Sequence, residues 1–192
     1  MSDKNELGIL ARRKIEAEII KPIYDIMVRE LGKQQAQAII GEAIEKAAID
    51  AGTDFARKEP NGPSLRGFVD LQYLWEKDNA LEIRVLDNDD QHYNYDVTRC
   101  RYAEMYHEMG LGEIGHLLSC ARDDKFIVGY APDVELTRTT TIMEGSKCCD
   151  FRYQVKKEPS CVRLSLSMPN DSGRHLKKWL SLDAPLPGAS LA

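Results

Sequence analysis

The chain has 192 residues, 43% of them hydrophobic and 30% charged, which suits one globular domain with a substantial core. Its 26 Lys and Arg against 31 Asp and Glu leave a net charge of −5 with no dominant basic run, which argues against a nucleic-acid partner. The opening MSDKNELGILARRKIEAEII is charged throughout and lacks the apolar run of a signal peptide or membrane span, so a cytoplasmic protein with no membrane contact is expected.

Residues 5 to 31 carry a helical pattern with Ile19, Ile23 and Ile26 spaced for one face, and Pro22 is expected to kink or split it. Gly32 punctuates, and a second helix over 33–57 (Ile40, Ile44, Ala47, Ala51, Phe55) can pack back on the first. KEPNGPS at 58–64 is a turn-rich connector, and Leu65, Phe68, Leu71 and Trp75 suggest a third helix, so the N-terminal helices occupy 5–77.

The period then becomes alternating. Leu81, Ile83 and Val85 face one way and Glu82 and Arg84 the other; DNDDQ and a second alternating run at Tyr93, Tyr95 and Val97 complete a hairpin. Helical spacing returns over 101–109 and 113–121 with Gly110 and Gly112 between, and strands follow at 134–143, 148–154 and 161–168. This ordering predicts an α+β fold: N-terminal helices packed on an antiparallel sheet, with a helical pair inserted between hairpin and meander. A single domain over 1–168 and a flexible tail over 169–192 are expected.

The chemistry concentrates between Arg99 and Tyr153, which holds four of the five cysteines and two of the four histidines. The odd number of cysteines and the lack of a CxxC pair favour reduced thiols over a disulfide framework. In EIGHLLSC, Glu113, His116 and Cys120 fall within an arc of about 60° if the segment is an α-helix, the order of an orienting acid, a base and a nucleophilic thiol. The alternative is a buried cysteine beside a satisfied histidine.

Arg138 shares the alternating face of Val134, Leu136 and Ile142, so its charge must meet an internal carboxylate such as Glu113 or Asp123, or an anionic ligand. Cys149 shares its parity with Phe151 and Tyr153, which makes it, and not Cys148, the inward member of the pair and able to approach Cys120. Cys100, Tyr102, Tyr106 and His107 form a polar and aromatic group on the first of the paired helices. Cys120, Cys149 and His116 match no standard zinc spacing, so no metal and no cofactor are expected.

The run from Cys100 to Tyr153 resembles the L-2-amino-thiazoline-4-carboxylic acid hydrolase family. The resemblance rests on Cys100 and Tyr102, the Gly-Leu-Gly turn before Glu113, SC followed by Asp123 or Asp124, Arg138 with Thr139 and Thr141 ahead of Gly145, and Cys149-Asp150-Phe151; LGILARRKIEAEIIKPI is similar to the family's start. It implies a hydrolase that opens a small carboxylate-bearing nitrogen heterocycle. More faintly, TTTIMEGSKCCDF is similar to the end of 4-vinyl-reductase-type ligand-binding domains, with Thr141 in place of a metal-binding cysteine. That similarity implies a small-ligand pocket between helices and sheet, and a homodimer.

The combined expectation is thiol attack by Cys120 on a ring amidine carbon, with His116 as base, Glu113 as orienter and Arg138 as carboxylate anchor. Tyr102, Asp123, Thr141 and Cys149 complete the expected binding residues. The alternatives are a domain that binds a small carboxylate or aromatic ligand without turning it over, and a zinc-stabilised dimerisation domain.

Overall fold

Apolar residues recurring every three or four positions build the first half of the chain, and the computed structural model, which describes residues 7–156, places two long helices there. Helix α1 spans Ile9–Leu31 and α2 spans Lys33–Ala56. Between them Gly32 adopts φ 84°, which a side chain would strain, so one residue suffices to turn α1 into the helix that packs against it. Pro22 neither splits nor ends α1. It lies exposed, where the carbonyl left without its helical donor meets water.

The face of α1 that meets the core is not the one its isoleucines suggest. Ile19, Ile23 and Ile26 are 63%, 46% and 50% exposed, whereas Ile9, Ala17 and Tyr24 are buried. The helix is apolar on two sides, and spacing alone does not say which side meets its neighbours.

The connector leads into α3, Leu65–Leu71, capped by the Ser64 hydroxyl accepting from the Gly67 N–H, and then α4, Tyr73–Glu76. Strand β1 (Leu81–Asn88) and β2 (His92–Cys100) form the hairpin. Helix α5 (Arg101–Glu108), a turn at His116–Cys120 and α6 (Ala121–Tyr130) are inserted before β3 (Val134–Thr137) and β4 (Cys149–Val155). The sheet is antiparallel in the order β1-β2-β4-β3, and the fold is the expected α+β arrangement.

Strand register fixes which side chains face the helices. Tyr93 pairs with Tyr153, Tyr95 with Phe151 and Val97 with Cys149, and all six are buried on one face. The Tyr95 and Phe151 rings stack at 4.8 Å. On the opposite face Asp96 accepts from Arg84 and Arg152, each at 2.8 Å. Val85, expected to face inward, is 49% exposed because the register shifts between Val85 and Asp87.

Two boundaries move. The helix expected to stop at Ala121 runs on to Tyr130, and the strand expected to reach Met143 ends at Thr137. The Asp150 carboxylate causes the second change: it accepts the backbone N–H of Thr139 at 2.9 Å and of Thr140 at 2.6 Å, donors that would otherwise extend the ladder. The expected strand over 161–168 and the tail over 169–192 lie outside the described residues.

Helix α6 is pinned over the sheet by glycine. A Cβ on Gly52 of α2 would collide with the Phe126 carbonyl oxygen, and one on Gly129 of α6 with the Ile49 carbonyl oxygen. The two backbones therefore pack directly against each other, which fixes the first turn of α6 above the inner sheet face.

Candidate functional site

Residues His116–Cys120 form a π turn: the Ala121 N–H donates to the His116 carbonyl, five residues back. Such turns are rare and cluster at functional sites. Cys120 closes this turn and leads into α6, whose first residues include Arg122, Asp123 and Asp124.

Cys120 and Asp123 line a cavity between the helices and the inner sheet face, about 870 Å³ with its mouth included. Aromatic side chains from α3, α4 and the sheet, including Phe68, Trp75, Tyr95 and Tyr153, form much of its wall. Three thiols, those of Cys100, Cys120 and Cys149, border it, as the inward parity of Cys149 requires.

Arg138, which also lines the cavity, has a side chain 6% exposed. Its Nη1 donates to Asp123 at 2.9 Å, and its Nη2 to the Cys120 carbonyl at 2.9 Å and to Asp124 at 3.3 Å. The guanidinium also lies 4.9 Å from the centre of the Phe151 ring. Of the two fates that inward parity allowed, Arg138 meets internal carboxylates, through both of its terminal nitrogens.

Burial pushes the Asp123 carboxyl up to about 6, with Arg138 opposing only in part. Asp123 therefore titrates where a general base is useful at neutral pH. Burial, then the Asp123 charge, raise the Cys120 thiol well above its ordinary range, so at rest it carries its proton. Burial likewise raises the Cys149 thiol, which accepts the Ile142 N–H at 3.2 Å.

The expected Glu113–His116–Cys120 array is not assembled around the cavity. Glu113 accepts from the Tyr24 hydroxyl at 2.6 Å and pairs with Lys33 at 2.6 Å, contacts that hold its carboxyl below the usual range. Neither Glu113 nor His116 lines the cavity. The physical reason is local: Glu113 sits in the turn before the helix, and the π turn breaks the α-helical spacing that would have put the three residues on one face.

The other candidates divide in the same way. Tyr102 borders the cavity and donates to the Trp75 carbonyl at 3.1 Å. Thr141 is buried but caps the short helical turn Ile142–Glu144, accepting the Glu144 N–H at 3.2 Å and donating to its carboxylate at 2.7 Å. The zinc set Cys120, Cys149 and His116 is not gathered. Among the described residues the group close enough to share an ion is Asp87, Asp89 and His92, exposed or half-buried at the hairpin tip.

Sequence reasoning missed two cavity arginines. Arg13 of α1 and Arg122 of α6 both line the wall, with side chains 14% and 12% exposed. They share one carboxylate: Glu16 accepts from Arg13 at 2.6 Å and from Arg122 at 2.9 Å. Arg122 also donates to the Leu118 carbonyl at 2.9 Å, a carbonyl in the π turn. The available signal was ILARRK, where Arg13 follows Ile9 by one helical turn, and SCARDD, where Arg122 lies two residues past the thiol.

The chain belongs to the L-2-amino-thiazoline-4-carboxylic acid hydrolase family, whose sequence profile matches residues 12–153. No curated protein sequence matches it significantly. Among solved structures it is similar to the phenol-responsive sensory domain of the transcription activator PoxR with phenol, at 11% identity and TM-score 0.47, covering 78% of this chain and 77% of that one. It is also similar to trafficking protein particle complex subunit 3 from Naegleria fowleri covalently bound to palmitic acid, at 13% identity and TM-score 0.43, covering 76% and 96%. No helix among the described residues is long and apolar enough to cross a membrane.

Proposed function

We propose that the chain is a hydrolase that opens a 2-amino-thiazoline-4-carboxylate-like ring, with Cys120 as nucleophile and Asp123 as its base. The observation that carries this reading is the meeting of a thiol and a cavity carboxyl that titrates near 6 on consecutive turns of one helical segment. Family membership supports the reaction class.

Asp123 accepts the Cys120 proton, and the thiolate adds to the ring carbon between nitrogen and sulfur. The cationic amidine of a bound substrate favours this transfer by stabilising the thiolate electrostatically. Collapse breaks the ring carbon–sulfur bond, and the departing sulfur takes the proton back from Asp123. Water then adds to the same carbon, its proton passing through Asp123, and expulsion of the Cys120 sulfur yields the carbamoyl product. The sum is substrate plus one water.

Two observations favour a second reading. The resting Cys120 thiol is protonated and the cavity wall is rich in aromatic rings, as suits a domain that binds a small ligand without turning it over. Incubating the purified full chain with 2-amino-thiazoline-4-carboxylate and following mass decides between them. A product heavier by one water, lost in Cys120→Ala, supports the hydrolase; saturable binding with unchanged ligand supports the binding domain.

A further inference from the structure

The three cavity guanidiniums are not equivalent, and their partners divide the cavity electrically. Arg138 alone faces two carboxylates, Asp123 at 2.9 Å and Asp124 at 3.3 Å. Arg13 and Arg122 together form ion pairs with one, Glu16. Counting each group at its full charge, the Arg138 cluster has one positive and two negative groups, and the Glu16 cluster has two positive and one negative. By its ion pairs each cluster is thus short of one counter-charge, the two shortages have opposite sign, and Asp123 offsets them in part, since it interacts electrostatically with Arg13 and Arg122 without an ion pair to either.

Such a shortage is costly where side chains are withdrawn from water. Arg13 and Arg122 are mostly buried, and burial together with the neighbouring Arg13 charge weakens the hold of Arg122 on its proton. The Arg122 guanidinium is also positioned from the π turn through the Leu118 carbonyl. An anion arriving between the two guanidiniums would supply the missing charge, and planar donors suit a carboxylate.

We propose that this cavity is built for a zwitterion, with Arg13 and Arg122 holding the ligand's carboxylate and Asp123 receiving its cationic group. The proposal rests on reading the cavity as the substrate site, and it transfers the carboxylate-anchoring role from Arg138 to Arg13 and Arg122. A 2-amino-thiazoline-4-carboxylate has that charge pattern, since its amidine is basic and its carboxyl acidic. The ligand class is therefore a small cyclic amidine or amine acid, as against a neutral aromatic compound or a fatty acid.

The test is calorimetric binding to the full-length Cys120→Ala protein at neutral pH, so that affinity is read without turnover. Three probes are compared: 2-amino-thiazoline-4-carboxylate, its carboxamide, which lacks the anion, and thiazoline-4-carboxylate without the amino group, which lacks the cation. The acid with both charges is expected to bind at least about tenfold more tightly than either analogue. Adding Arg122→Gln, or Arg13→Gln should the first variant fold poorly, is expected to erase the preference for acid over carboxamide, while Arg138→Lys retains it.

Equal affinity for acid and carboxamide would overturn the proposal, as would no binding of the acid, or an acid preference that survives both Arg122→Gln and Arg13→Gln. The hydrolase reading fails separately. Acid-selective binding with no ring opening by the wild-type chain would leave the zwitterion site standing without it, and ring opening with no acid preference would leave the hydrolase without this anchor.

Discussion

Residues Glu113–His116 and Cys120–Asp124 belong to one short stretch of chain yet to two different environments. In the first Glu113 faces outward, tied to Lys33 and Tyr24 at a helix junction. The second borders the cavity, where burial drives the Cys120 thiol and the Asp123 carboxyl away from their ordinary ranges. The π turn separates them. Chemistry-bearing residue types are alike in both, so environment, and not residue identity, marks the half that the proposed chemistry uses.

Breaking the cavity half should cost most. Cys120→Ala is expected to lower kcat by about 10³-fold or more while unfolding stays cooperative, which steady-state ring-opening kinetics and a melting curve check together. Asp123→Asn should lower kcat by about 10²- to 10⁴-fold. In the wild type kcat/KM should rise with pH through about 6, because Asp123 is a base only once deprotonated; the asparagine variant should lose that limb.

Stability separates the regions next. Arg138→Leu leaves Asp123 and Asp124 without their counter-charge and should cost about 3–5 kcal/mol in denaturant titration. Cys149→Ser, at a position buried on the inner sheet face, should cost about 1–3 kcal/mol, whereas Cys148→Ser should stay within about 0.5 kcal/mol of wild type. Glu113→Gln should have the smallest effect, at most about 1 kcal/mol with kcat unchanged, because its ion pair with Lys33 is solvated. A large kcat loss there would return the orienting role to Glu113.

Element types and strand parity were legible because local pattern determines them: alternation set Tyr93, Tyr95 and Val97 inward, and it picked Cys149 over Cys148. Arg138 was legible as a buried charge for the same reason, although its partners were open between ligand and protein. The geometry of 113–120 was not legible because a π turn has no local sequence rule and departs from the 3.6 residues per turn that places Glu113, His116 and Cys120 on one face. Arg13 and Arg122 were missed because they are 109 positions apart in the sequence, and only tertiary packing gives them the same carboxylate. The buried face of α1 was missed because both of its sides are apolar.

The proposed mechanism requires covalent participation of Cys120 in the cavity. The direct measurement is intact-protein mass spectrometry of the full chain quenched during turnover of 2-amino-thiazoline-4-carboxylate, with peptide mapping of any adduct. A transient adduct of substrate mass on Cys120, absent from Cys120→Ala and slowed in Asp123→Asn, is the predicted result. Ring opening by Cys120→Ala at the wild-type rate would contradict it.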